Sequence, residues 1–120
     1  LTAKFGTAHG QAVGLMLPHV VLFNAEEFEP EYQLLMTAFA SPRSPRGPGS
    51  GPDAQGSVEL AEWLVGVLRL AGLATNLREL GVAPTDVPEL AAAAAPQWTG
   101  TFNPRKVDAQ VLAQLYHRAL

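Results

Sequence analysis

Gly6-Thr-Ala-His9-Gly10-Gln-Ala-Val-Gly14-Leu-Met-Leu-Pro18-His19-Val20 is the stretch whose reading decides the fold. A titratable imidazole, His9, stands at the head of a segment that is otherwise apolar on every side. The apolar run from Ala12 to Phe23 is roughly half the ~20 residues a membrane crossing needs, and Pro18 and His19 interrupt it. It reads as a buried core helix running from about Thr7 to Asn24. Gly6, Gly10 and Gly14 recur at intervals of four, so on that helix they form one stripe. Such a stripe lets another backbone or a ligand come close. Pro18 clashes with the carbonyl four residues back in an ordinary helix. Here that residue is Gly14, which leaves room for a bend.

The helical pattern continues outward, and no segment alternates as a strand does. An acidic turn, Glu26-Glu27-Phe28-Glu29, precedes Pro30, a favoured first helical residue. Tyr32, Leu35, Met36 and Phe39 follow at i, i+3, i+4 and i+7, the narrow face of a second helix expected to cross the first. From Ser41 to Gly56 the chain holds four prolines and four glycines, the composition of a surface loop. Its Ser-Pro-Arg repeats could also be read as modification sites.

Ser57 is expected to cap a third helix carrying Leu60, Leu64, Val67, Leu68 and Ala71 on one face and stopping at Gly72. A short helical turn, Thr75 to Leu80, is closed by Gly81. Asp86-Val-Pro-Glu89 has the pattern of a capping box opening a helix through Ala91 to Ala95, which Pro96 ends. The loop Gln97 to Lys106 leads to a last helix, capped by Asp108, with Leu112, Leu115, Tyr116 and Ala119 inward. The sum is an all-α bundle of about five to six helices. No internal repeat or long linker divides residues 1–120, so one domain is expected.

With 48% hydrophobic and 16% charged residues among 120, the chain has enough apolar material for one real core. A net charge of −3 provides no basic patch, which argues against nucleic acid. The lack of cysteine excludes disulfides and thiolate metal sites. Leu1 to Phe5 lacks a signal-peptide pattern, and the expected location is the cytoplasm, with no membrane association. The chain opens on Leu1 rather than Met, so a piece of a longer protein is expected.

His9 has two readings: a ring hydrogen-bonded to a carbonyl near a helix start, or a metal ligand. His19 lies ten residues on, about 280° around a helix, so the two cannot chelate one ion from a straight helix. His19 reads as a satisfied core residue, and His117 as a complement to the last helix's dipole. In Asn103-Pro104-Arg105 the asparagine starts a turn, and Arg105 either ties the loop to helix carbonyls and carboxylates or contacts phosphate. Trp98, Thr99 and Phe102 could line a pocket, with core packing expected of the two aromatics. No G-x-S-x-G serine and no strand-borne glycine-rich phosphate loop is present, so this chain alone carries neither nucleophilic catalysis nor dinucleotide binding.

The segment Leu1 to Asn24, with His9-Gly10 and Leu17-Pro-His-Val20, strongly resembles the iron-containing (group III) alcohol dehydrogenases. The likeness continues through Leu77 to Val82, Asp86 to Ala91, Asn103-Pro-Arg105 and Leu115-Tyr116, leaving out the Pro/Gly loop. The resemblance implies the helical C-terminal domain of a two-domain, dehydroquinate-synthase-like enzyme whose N-terminal domain binds NAD or NADP. It also implies a divalent metal, usually Fe2+ and with Zn2+ as the alternative, held by one Asp and three His. His9 matches the last of those histidines, and the other ligands would precede Leu1. The implied chemistry is hydride transfer between a small alcohol or aldehyde and the nicotinamide, with His9 lost as a ligand on protonation. The glycine stripe would keep the helix thin where metal, substrate and nicotinamide crowd together. Removal of a partner domain should expose an apolar surface near His9. The isolated chain is expected to be inactive. Homo-oligomerisation is left open, and no catalytic or cofactor-contacting residue is assigned. A reductase of the maleylacetate type and a non-catalytic helical interaction module stand as alternatives.

Overall fold

The computed structural model describes residues 1–39 and 55–120, and every described element is helical. Four helices exceed a single turn: α2 (His9–Phe39), α3 (Gly56–Leu70), α4 (Val87–Ala94) and α5 (Ala109–Arg118). The one-turn α1 (Thr2–Phe5) precedes them. Three 3-10 turns, Arg78–Leu80, Pro84–Asp86 and Trp98–Phe102, link the rest. The count falls short of five to six because the two helices expected between Thr7 and Phe39 follow one another across a kink with no loop between them and are taken together as α2, and because Thr75 to Leu80 tightens only into a 3-10 turn. The Ser-Pro-Arg repeats and the loop between α2 and α3 lie outside the described residues as far as Ala54.

Inside α2 the dihedrals stay helical at Pro18 and leave the helical region at Phe28 (φ −127°, ψ 25°), two residues before Pro30. Pro30 therefore starts the second limb after a kink, as its fixed φ suits. The space above Gly14 is not a bend. A β-carbon there would stand 3.3 Å from Leu68 Cδ2, so α3 uses it to pack closely. Gly6 is not on the helix at all. It holds a left-handed conformation (φ 63°) at the end of α1, and turns the chain into α2.

α3 runs antiparallel to the first limb of α2, with Leu68 over Gly14 and Ser57 beside Glu29. Ser57 is not the cap expected of it, because Gln55 holds that place and the helix begins at Gly56. The cap comes from across the interface instead. Glu29 accepts from the Ser57 amide at 3.1 Å and from the Ser57 hydroxyl, which satisfies an orphan donor at the helix start. The buried face of α3 is Gly56, Ser57, Ala61 and Leu68, rotated from the expected one, so that Val67 and Ala71 are exposed. Gly72 ends α3 as expected, in a left-handed turn where Leu73 N donates to Leu68 O.

The main core gathers Leu15 of α2, Leu77 and Val82 flanking the Gly81 turn, Val87, Leu90 and Ala91 of α4, and Tyr116 and Ala119 of α5. Burying each of the larger aliphatic side chains contributes about 1.5–3 kcal/mol. The inward face expected of α5 is found, and Asp108 caps it by accepting from Val111 N at 2.9 Å. Asp86 does not close a capping box with Glu89. Its carboxylate accepts from Ala83 N and from Lys4 Nζ, both at 2.9 Å. Glu89 takes the same ammonium at 2.6 Å, which ties α1 to the start of α4. Among the described residues no helix is long and apolar enough to cross a membrane.

Candidate metal centre

The left-handed Gly6 and the buried Thr7 set the chain so that His9 becomes the first residue of α2, with its side chain exposed. Among the described residues its ring makes no hydrogen bond, so the carbonyl-bonded reading of this histidine is not what the structure holds. A free imidazole nitrogen at a helix start is a competent donor to a divalent metal. One such donor cannot hold an ion against water by itself. Among the described residues no three His, Asp or Glu side chains converge.

The neighbours of His9 are set by helical geometry. Val13 and Leu17 follow at i+4 and i+8 on the same side of α2, and are 51% and 40% exposed. Ala12, Leu15 and Pro18 take the opposite, buried side. An apolar surface is thus exposed beside His9. The glycine stripe is reduced to Gly10, around which no atom lies within 4 Å of a would-be β-carbon. Gly14 serves packing against Leu68 rather than a ligand.

His19 faces away from this surface. It is half-buried, and burial, followed by the charge of Arg118, lowers its pKa below 6.5 and favours the neutral ring. His117 is exposed in the last turn of α5 beside Arg118, where positive charge complements the helix terminus.

Asn103-Pro104-Arg105 proves to be a staple. Asn24 of α2 is buried and exchanges two amide hydrogen bonds with Asn103, each 2.9 Å, while Asn103 Nδ2 also donates to Arg105 O at 2.8 Å. Arg105 donates to the Phe23 carbonyl and to Glu27 Oε1 at 3.0 Å, and pairs with Glu26 at 3.0 Å. Its guanidinium carbon lies 4.0 Å from the centre of the Phe23 ring. Every side of that group is engaged, so it is not presented to phosphate. The expected core role of Trp98 and Phe102 is not found. They are 69% and 73% exposed, stacked edge to face at 5.4 Å on their 3-10 turn. The Lys4–Asp86–Glu89 cluster and the Glu29–Ser57 cap escaped the sequence reading, because no local spacing links residues that far apart in the chain.

A family model described as the Fe-containing alcohol dehydrogenase family, C-terminal, matches residues 1–120. Lactaldehyde reductase of Escherichia coli (strain K12) is 30% identical over 125 residues, and 1,3-propanediol dehydrogenase of Citrobacter freundii is 29% identical over 123. Each alignment takes in 99% of this chain and 30% of the relative, so the chain spans under a third of these relatives' length. The crystal structure of a 1,3-propanediol oxidoreductase superposes on the whole chain with a TM-score of 0.74 at 25% identity, again over 30% of that protein.

Proposed function

This chain belongs to the iron-containing alcohol dehydrogenase family, and we propose that it is the metal-holding helical part of an NAD- or NADP-dependent enzyme that interconverts alcohols and carbonyl compounds. The observation that carries the proposal is His9: exposed, unbonded among the described residues, and fixed at the first turn of a helix whose other side is core. Bound there, a divalent iron would supply Lewis acidity toward an alcohol oxygen, while NAD or NADP would supply the electron-pair acceptor. The part played by this chain is positional. Leu15, packed in the core on the opposite side of α2, fixes the helix, and the helix fixes the imidazole. The further ligands are assigned to residues preceding Leu1, and the nucleotide site to an N-terminal domain that docks on the exposed face beside His9. The match across residues 1–120 favours this reading over an interaction module.

The test is metal analysis of the full-length protein and its His9→Ala variant. We expect the variant to lose iron by more than the roughly 10- to 100-fold that removal of an outer-shell partner costs, because a direct ligand is gone. Alcohol-dependent reduction of the nicotinamide should vanish with the metal. Full iron retention in His9→Ala overturns the assignment. Turnover by the isolated 120-residue chain with NAD, a primary alcohol and Fe(II) would overturn the division of labour.

A further inference from the structure

Trp63, Gly66 and Leu70 recur at i, i+3 and i+7 along α3, the spacing of a seam on which a second helix packs. Trp63 and Leu70 are exposed, Leu70 to 91%, and nothing lies within 4 Å of a would-be β-carbon on Gly66. Phe39 holds one edge of Trp63, with 5.9 Å between the ring centres. The seam is on the opposite side of α3 from the buried Ala61 and Leu68, the latter packed over Gly14. It is therefore turned away from the limb of α2 that carries His9, and is separate from the face given to an N-terminal domain. The charged side chains of α3 are ordered by sign: Glu59 and Glu62 in its first half, Arg69 in its last turn. Glu62 and Arg69 border the seam on one flank, about 20° apart around the helix and about 10 Å apart along it, too far to pair with each other. None of the three forms an ion pair among the described residues.

We propose that this seam receives the same seam of a second copy of the protein, the two α3 helices lying antiparallel about a two-fold axis near Val65 and Gly66. In that arrangement Arg69 of each copy falls between Glu59 and Glu62 of the other, and the two-fold axis makes the contact twice. A parallel pairing sets Glu against Glu and Arg against Arg, so the charges select the antiparallel one. Trp63 of each copy enters the open space beside Gly66 of the other, and Leu70 leaves water. The same order of charges also suits the dipole of α3 within one copy, but the dipole gives no account of an apolar seam beside them. One pair of helices covers less than the roughly 1,200 Å² at which interfaces of standard size begin, so the association is weak and sensitive to salt. The inference does not depend on the reading of His9.

The experiment is sedimentation of the full-length protein over a range of concentrations at low salt, with thermal unfolding and iron content measured on the same samples. The sedimenting species of the wild type should double in mass as concentration rises. Arg69→Glu sets three carboxylates together at each end and should raise the dissociation constant about tenfold. Reversal at all three positions, Glu59→Lys, Glu62→Lys and Arg69→Glu, restores opposite charges across the axis and should bring the constant back toward that of the wild type. Leu70→Ser, at a site too exposed to disturb the core, should weaken association without lowering the unfolding temperature. Iron content should be the same in every variant, so loss of metal in His9→Ala and loss of association here are read separately. The proposal is overturned if the wild type does not double, or if the variants sediment as it does. It is equally overturned if the triple reversal associates no better than Arg69→Glu, since the charges then serve the dipole alone. A fall in unfolding temperature for Leu70→Ser at unchanged mass also overturns it, because another part of the same chain then covers the seam.

Discussion

Gly56 and Gly66 lie on one helix, yet a β-carbon would meet different surroundings at each. At Gly56 it would stand 2.5 Å from the Gln33 backbone nitrogen and α-carbon, closer than any side chain can sit against a main chain. At Gly66 nothing lies within 4 Å. Intrinsic propensity favours alanine over glycine in a helix interior by about 1 kcal/mol, which applies in full at Gly66 and less at Gly56, the first residue of α3. At Gly66 that preference acts unopposed, so Gly66→Ala should stabilise the protein by about that amount. At Gly56 the two helices must separate, and overpacking of this kind costs about 1–3 kcal/mol or more, which exceeds the propensity gain. Gly56→Ala should therefore destabilise. Urea midpoints of the two variants give the comparison, and a shift in the same direction for both would show that α3 does not pack on α2 as described.

The helices owe their placement to cross-links between segments distant in sequence, of which the Asn24–Asn103–Arg105 staple is the most fully satisfied. Asn103→Ala leaves the buried Asn24 amide without its partner, a loss of about 1–3 kcal/mol. Arg105→Lys keeps the charge but cannot reproduce the two carboxylate contacts, the carbonyl contact and the stacking on Phe23 at once, so it should also destabilise, by about 1–3 kcal/mol. Because the Asn103 amide also holds the Arg105 carbonyl and so positions that residue, the double variant should cost less than the sum, a shortfall measurable by denaturant titration. Additive losses would mean two independent contacts. The same staple shows how far the sequence was legible. The turn at Asn103-Pro104 and the tie of Arg105 to carbonyl and carboxylate followed from side-chain chemistry, and so did the Asp108 cap, the Gly72 and Gly81 stops and the inward face of α5. That a kink at Phe28 rather than a loop joins the two limbs of α2 was not legible, because Pro30 marks a helix start equally well after either. The Glu29 cap, the rotated face of α3 and the exposure of Trp98 and Phe102 depend on which neighbour arrives, and periodicity carries no such information. At the candidate site, the exposure of His9 needed coordinates, while the proposal that it is a ligand rests on family resemblance.

At the scale of the whole molecule, α2 carries His9 at one end and is braced against α5 at His19, whose ring feels Arg118. The surface cluster of Lys4 with Asp86 and Glu89 also joins distant segments, but its groups are open to water and screened by salt, so little stability is expected from it. His19 is different because it is half-buried. Burial first, and Arg118 second, hold its pKa below 6.5. In the interval between that lowered value and 6.5 the unfolded chain binds more protons than the folded one, so stability rises with pH there. Its contribution is complete above pH 6.5 and drains as the pH falls through the folded value. We expect the unfolding temperature to decline between pH 7 and pH 5.5, in a range where ordinary carboxylates do not yet titrate. His19→Gln should flatten the decline by removing the titrating group, and Arg118→Gln should reduce it by removing the smaller of the two causes. Thermal unfolding across that range decides the matter: an unchanged slope in His19→Gln would mean that the imidazole is solvated in the folded protein and that α2 and α5 do not enclose it.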